Sequence, residues 1–173
     1  MNPEETLEET AGRELQEKTG IKDYLLEQLY TFGENGYGET GKVVSVTYYV
    51  LVPEKDILGL VMVRRGELES IPVEELPILT PKQKTMIRVG VERIKSKLGY
   101  SSIAVGLLPK EFRLSELQKI YEVILGEKID KRNFRKKMLS LELLEKIEGK
   151  MIKEGYRPAA LYKFKTKKIV IFG

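Results

Sequence analysis

Residues 131–137, KRNFRKK, place five cations in seven positions. Lys and Arg neutralise phosphates, and Arg or Asn form paired hydrogen bonds to guanine or adenine edges. The chemistry on offer is therefore recognition of a nucleic acid. On a helix, Arg132, Arg135 and Lys136 share one face, while Phe134, Met138 and Leu141 fall on the opposite one. Charge alone is equally well explained by a solvated basic surface. A second cluster stands near the start of the chain, where Glu14, Glu17 and Lys18 occupy i, i+3 and i+4 with Arg13 beside them. That spacing puts all three on one side of a helix. Its bland reading is a solvated amphipathic helix supported by Glu/Lys pairs.

Whole classes of chemistry are excluded by composition. The 173 residues include no Cys and no His. Disulfides, thiolate metal sites, imidazole general bases and Ser-His triads are all absent. No run approaches eighteen apolar residues, and the first residues are acidic rather than signal-like. Charge is uneven along the chain. Residues 1–100 carry 13 Lys+Arg against 17 Asp+Glu, and residues 101–173 carry 17 against 9. An acidic front and a basic back suggest two modules with different partners.

The elements that must position these clusters follow from periodicity. Residues 4–19 are predicted as a helix led by Pro3, stopped by Gly20, with Leu7, Ala11 and Leu15 as its buried stripe. Strands are predicted at Leu25–Phe32, Val43–Val52 and Leu58–Arg64, the first two separated by the loop GENGYGETG (33–41). Thr80-Pro81 starts a helix running to Leu98, with Ile87, Val91, Ile94 and Leu98 inward and Gly99 as stop. In the last third, Ser115 with Gln118 has the form of a capping box. Leu117, Ile120, Tyr121, Ile124 and Leu125 then mark a helix that ends at Gly126, and Asp130 caps the next one. Leu143–Ile147 and Leu161–Phe164 alternate as strands around the tip EGKMIKEGYRPAA, and Lys168–Phe172 offers another. Two short helices, a tight turn and a hairpin give the order of a winged helix-turn-helix. Lys150, Lys153 and Arg157 in the hairpin would reach phosphates or the minor groove. The expected domains are 1–79, a connecting helix at 80–100, and 101–173.

From Glu5 to Ile21 the pattern E-x7-R-E-L-x-E-x-x-G-I resembles the Nudix box, G-x5-E-x7-R-E-U-x-E-E-x-G-U. Glu5, Arg13, Glu14, Leu15, Glu17, Gly20 and Ile21 match, whereas Lys18 stands where the second acid of the E-E pair belongs. The opening glycine of the box would fall before residue 1. In Nudix hydrolases, carboxylates at these places hold magnesium or manganese, which polarises a diphosphate and activates water. An ammonium in place of a carboxylate changes the local charge by two units, so the resemblance implies a domain without metal, cofactor or catalysis. It also implies that the early strands of the Nudix sheet are missing.

The stretches LYTFG...GKVVSVTYYVLVP (29–53), IPVEELPILTPKQKTMI (71–87) and 98–139, together with RPAALYKF (157–164), extend the likeness. They resemble the Nudix-related transcriptional regulators of NAD metabolism. That resemblance implies an α+β chain: a partial, N-terminally truncated Nudix α/β/α sandwich followed by a winged helix-turn-helix domain. Carried over by position, Lys131, Arg132, Asn133, Arg135 and Lys136 would read DNA, with Arg157 in the wing. Arg13, Glu14, Glu17 and Lys18 would form a vestigial ligand-binding face. The implied partners are operator DNA, a nucleotide effector such as ADP-ribose, and a second copy in a cytoplasmic homodimer. Some regulators of this kind sense sugars instead, and an active Nudix hydrolase is the other alternative.

Overall fold

The computed structural model describes residues 4–35, 41–152 and 159–172. In chain order the elements are α1 (Leu7–Thr19), β1 (Leu25–Asn35), β2 (Lys42–Leu51), α2 (Glu54–Val63), α3 (Pro81–Tyr100), β3 (Phe112–Arg113), α4 (Leu114–Leu125), α5 (Lys131–Ser140), β4 (Leu144–Ile152) and β5 (Ala159–Phe164). The chain divides into two compact units, 1–90 and 91–173, and the division falls inside α3.

In the first unit, a capping box starts α1. Thr6 Oγ1 accepts from the Glu9 backbone N–H, and Glu9 Oε2 accepts from that of Thr6. The helix ends at Gly20, whose φ of 80° places it in the left-handed region that glycine adopts without strain. The expected buried stripe does not form. Gly12 is the buried residue of this helix, Ala11 and Leu15 are half-buried, and Leu7 is 45% exposed. A Cβ at Gly12 would come within 2.6 Å of the Tyr24 hydroxyl, so the missing side chain is what admits that ring. β1 and β2 pair antiparallel from Leu25↔Leu51 to Asn35↔Lys42, with an irregularity at Leu29. Leu29, Leu51 and Ile21 are buried and make the small core of this unit.

Residues 58–64 correct the sequence expectation. Residues 58–63 belong to helix α2 rather than to a third strand, and Arg64 is its C-cap. The apolar run ILGLVMV carries no period of two, and Pro53 followed by Glu54 and Asp56 is a helix start. At α3, Thr80 and Gln83 cap each other's backbone N–H, and Pro81 takes the first helical position. Leu98 is buried and Ile87, Val91 and Ile94 are half-buried, but the helix continues through Gly99 to Tyr100.

Beyond the C-terminal half of α3, the second unit has helices α4 and α5 and a three-stranded antiparallel sheet in the order β3-β5-β4. Phe112, Leu117, Tyr121, Phe134 and Met138 are buried among these elements. Tyr121 and Phe134 meet edge-to-face with ring centroids 5.2 Å apart, and Phe112 lies 5.3 Å from Phe164. Burial pushes the Tyr121 phenol up to about 12. The cap of α4 sits two residues earlier than expected: the Arg113 backbone N–H donates to Glu116 Oε2, in place of a Ser115/Gln118 box. Lys168–Phe172 does not form the expected strand. It makes one antiparallel bridge, Ser101↔Ile171, flanked by bonds from Ser102 N–H to the Val170 carbonyl and from Phe172 N–H to the Tyr100 carbonyl. Buried Ser101 and Ser102 are thereby satisfied, since Ser101 Oγ donates to the Lys97 carbonyl and Ser102 Oγ accepts from Val170 N–H.

Candidate functional site

The basic helix is held by its turn. Gly126 ends α4 with φ 76°, and Asp130 Oδ1 accepts from the Asn133 N–H to open α5. Between them, Gln118 Nε2 donates to the Ile129 carbonyl at 2.9 Å and to Glu122 Oε1 at 3.1 Å. Glu122 Oε1 in turn accepts from the Ile129 N–H at 3.0 Å, and its second oxygen lies 3.4 Å from Lys128 Nζ. The backbone bond from Ile129, followed by that from Gln118, holds the Glu122 carboxyl below the usual carboxylate range. Gln118 and Glu122 thus clamp both polar groups of one turn residue and set where α5 begins.

On α5, Phe134 and Met138 are buried, and Lys131, Arg132, Asn133, Arg135, Lys136 and Lys137 are exposed. At about 100° per residue the outward face centres on Arg132 and Lys136, with Arg135 on one flank. Arg135 Nη2 donates to the Tyr162 hydroxyl on β5 at 3.4 Å. On the same strand, Lys163 is exposed and pairs with Glu145 at 3.2 Å. The arrangement can meet a polyanion with its cations while its apolar side stays in the core. Arg157 and Lys153 lie outside the described residues, as does the Lys150 side chain. Sequence reasoning missed Gln118, Glu122 and Tyr162. The sequence assigns Gln118 to a cap, and nothing in the spacing singles out Glu122 or a strand tyrosine 27 residues beyond Arg135.

On α1 the acids are held by the chain's own cations. Arg13 Nε lies 3.0 Å from Glu5, and Arg13 Nη1 lies 3.2 Å from both Glu14 and Glu17. Lys18 Nζ lies 2.9 Å from Glu14 Oε2. The Arg13 hydrogen bond draws the Glu5 carboxyl down from its ordinary value, with Thr10 adding a smaller pull. Lys18, then Arg13, draws down that of Glu14. Glu5, followed by Glu17, in turn raises the Arg13 guanidinium further. The C-terminus of α1 is tied to the end of α2, because Arg64 Nη1 donates to the Lys18 carbonyl at 2.7 Å. A divalent cation requires oxygen donors from carboxylates that are not already engaged by ammonium and guanidinium groups. This donor set does not fit one. Among the described residues, no group of three or more acidic side chains is placed to hold a metal.

The chain matches two family models: residues 1–89 match the NUDIX domain, and residues 104–164 match the NrtR DNA-binding winged helix domain. It is 31% identical over 166 residues to the ADPR responsive transcriptional repressor NtrR of Acinetobacter baylyi, a match covering 95% of this chain. The chain spans 66% of that relative's length. Among solved structures it resembles Shewanella oneidensis NrtR complexed with a 27mer DNA, with a TM-score of 0.81 and 31% identity. That likeness covers 94% of this chain and 74% of the other. A second structure of Shewanella oneidensis NrtR gives a TM-score of 0.74 at 30% identity over the same shares. No described helix is long and apolar enough to cross a membrane.

Proposed function

The chain belongs to the NrtR family, in which a Nudix domain is joined to a DNA-binding winged helix, and from that premise we propose that it is a ligand-responsive transcriptional repressor. The observation that carries this reading is the two-sidedness of α5. Phe134 and Met138 are buried while Arg132, Arg135 and Lys136 face outward from a helix fixed by the Gln118–Glu122 clamp. Such a helix enters the major groove. Lys131, Arg132 and Lys136 meet phosphates, and Asn133 and Arg135 supply the donors that base edges accept. Arg157, outside the described residues, is assigned by its position in the sequence to the adjoining backbone. Two copies in a homodimer would set two such helices about one helical turn apart on a palindromic operator. The domains we assign are 1–79 for sensing, 80–100 for connection and 101–173 for DNA binding, in a cytoplasmic protein.

The effector is a nucleotide such as ADP-ribose, by analogy with the Acinetobacter baylyi relative, which is described as ADPR responsive. Arg13, Glu14, Glu17 and Lys18 form the face turned to it. This domain is not catalytic, since the carboxylates that would recruit a metal are engaged by Arg13 and Lys18. Ligand then loosens DNA to the extent that it prefers the arrangement that does not bind DNA, and the same coupling makes DNA weaken ligand binding. α3 is the route, since it is one unbroken helix that contributes to both units.

Selection of duplexes by the full chain from a random-sequence pool, followed by titration with ADP-ribose, tests this reading. Enrichment of a palindromic duplex that ADP-ribose releases supports it. No enrichment, together with hydrolysis of ADP-ribose in the presence of magnesium, overturns it in favour of a Nudix hydrolase.

A further inference from the structure

Arginine reads guanine with two parallel N–H bonds, and a planar fork gives selectivity only when its orientation is fixed. On an exposed helix its long side chain samples many rotamers, and most of them present the fork to phosphate or solvent. Arg135 differs from Arg132 in this respect. It stands on the flank of α5, and its Nη2 donates to the Tyr162 hydroxyl at 3.4 Å. Tyr162 is itself buried in the sheet. Its residue is 4% exposed, and it lies on β5, the central strand, paired with Phe112 of β3 on one side and Lys146 of β4 on the other.

We propose that Tyr162 is a positioning residue for sequence reading: its buried ring holds a hydroxyl as a fixed acceptor that aims the Arg135 guanidinium at a base edge. The inference rests on the DNA-binding reading of α5 and goes beyond it by separating the cations by task. A guanidinium carries five N–H donors, so one spent on Tyr162 leaves the others for guanine O6 and N7. Arg132 and Lys136, at the centre of the outward face, supply the sequence-independent attraction to phosphate. The sheet of the wing thus takes part in base recognition without itself entering a groove.

The test compares the full chain with Tyr162→Phe, Arg135→Ala and the double variant. Binding is measured to the duplex the full chain enriches from a random pool and to a scrambled duplex of equal length. Phe keeps the buried ring and removes only the acceptor. Tyr162→Phe is expected to weaken binding to the enriched duplex about tenfold, the scale of one hydrogen bond to a charged group. Binding to the scrambled duplex, the salt slope and the melting temperature should stay unchanged. In the Arg135→Ala background the same substitution should have no further effect. A general packing role would instead lower stability and weaken both duplexes alike. The proposal is overturned if the ratio of the two affinities is unchanged by Tyr162→Phe, or if the loss persists without Arg135. A wild-type chain that distinguishes no duplex at all removes the DNA-binding reading itself, and this inference with it.

Discussion

The ammonium of Lys18 lies 2.9 Å from Oε2 of Glu14, one helical turn back along α1. A cation of the chain therefore occupies the position from which a neighbouring carboxylate would help to hold a metal. Magnesium at millimolar concentration is expected to leave the melting temperature of the full chain unchanged. Lys18→Glu frees Oε2 of Glu14, leaves Oε1 on Arg13 and adds a third carboxylate, and should make the melting temperature rise with magnesium. A magnesium-dependent shift in the wild type, or none in the variant, would contradict this account of the helix.

Acid should destabilise the chain through the same kind of contact. The folded-state pKa values of Glu5, Glu14 and Glu122 lie below the ordinary 4.5, lowered chiefly by Arg13, Lys18 and the Ile129 backbone respectively. Their stabilisation is fully present above that value and is lost as pH falls through the folded values. Melting temperature should hold steady down to about pH 5 and then drop. Glu122→Gln should flatten part of that drop, as thermal melts by circular dichroism at several pH values would register. An unaltered pH profile in this variant would count against the turn clamp.

Gln118→Ala removes the donor to the Ile129 carbonyl and should cost about 1 kcal/mol of stability. Because it loosens the start of α5 without touching a cation, duplex affinity should fall while the salt slope stays the same. Denaturant melts and anisotropy titrations at three salt concentrations separate the two effects.

Phe112 is 1% exposed, pairs with Tyr162 across the sheet and stacks at a tilt on Phe164. Phe112→Ala should destabilise the second unit by about 3–5 kcal/mol, the usual range for emptying an aromatic site. Urea unfolding followed by circular dichroism reads the loss directly.

The second unit was largely legible from sequence because its signals are local. Gly126, Asp130 and the 3.6-residue spacing of Leu117, Tyr121, Phe134 and Met138 fix both helices, and the structure follows them. Where local chemistry is ambiguous, sequence misleads. The run at 57–63 is apolar on every side, so periodicity does not separate strand from helix, and Pro53 with its acidic first turn decides for the helix. The α4 cap was misplaced because a backbone N–H at Arg113 reaches a carboxylate three residues on, and Arg113 carries no cap signature of its own. Leu7 belongs to an amphipathic stripe but is exposed, since nothing in a helix's own sequence says what covers its apolar face. At the site, the outward cations of α5 were readable from a helical wheel. The clamp of Glu122 on Ile129 and the contact of Arg135 with Tyr162 are tertiary, spanning 7 and 27 residues, and no spacing rule announces them.

The central claim is that the outward face of α5 meets a polyanion through Arg132 and Lys136. Its most direct test is the salt dependence of binding to the enriched duplex, for the full chain and for Arg132→Ala and Lys136→Ala. Affinity should fall steeply with salt, with the slope shrinking by about 0.9 for each phosphate contact removed and melting temperatures left unchanged. If both variants bind as tightly as the wild type with the same slope, α5 is not the surface that meets DNA.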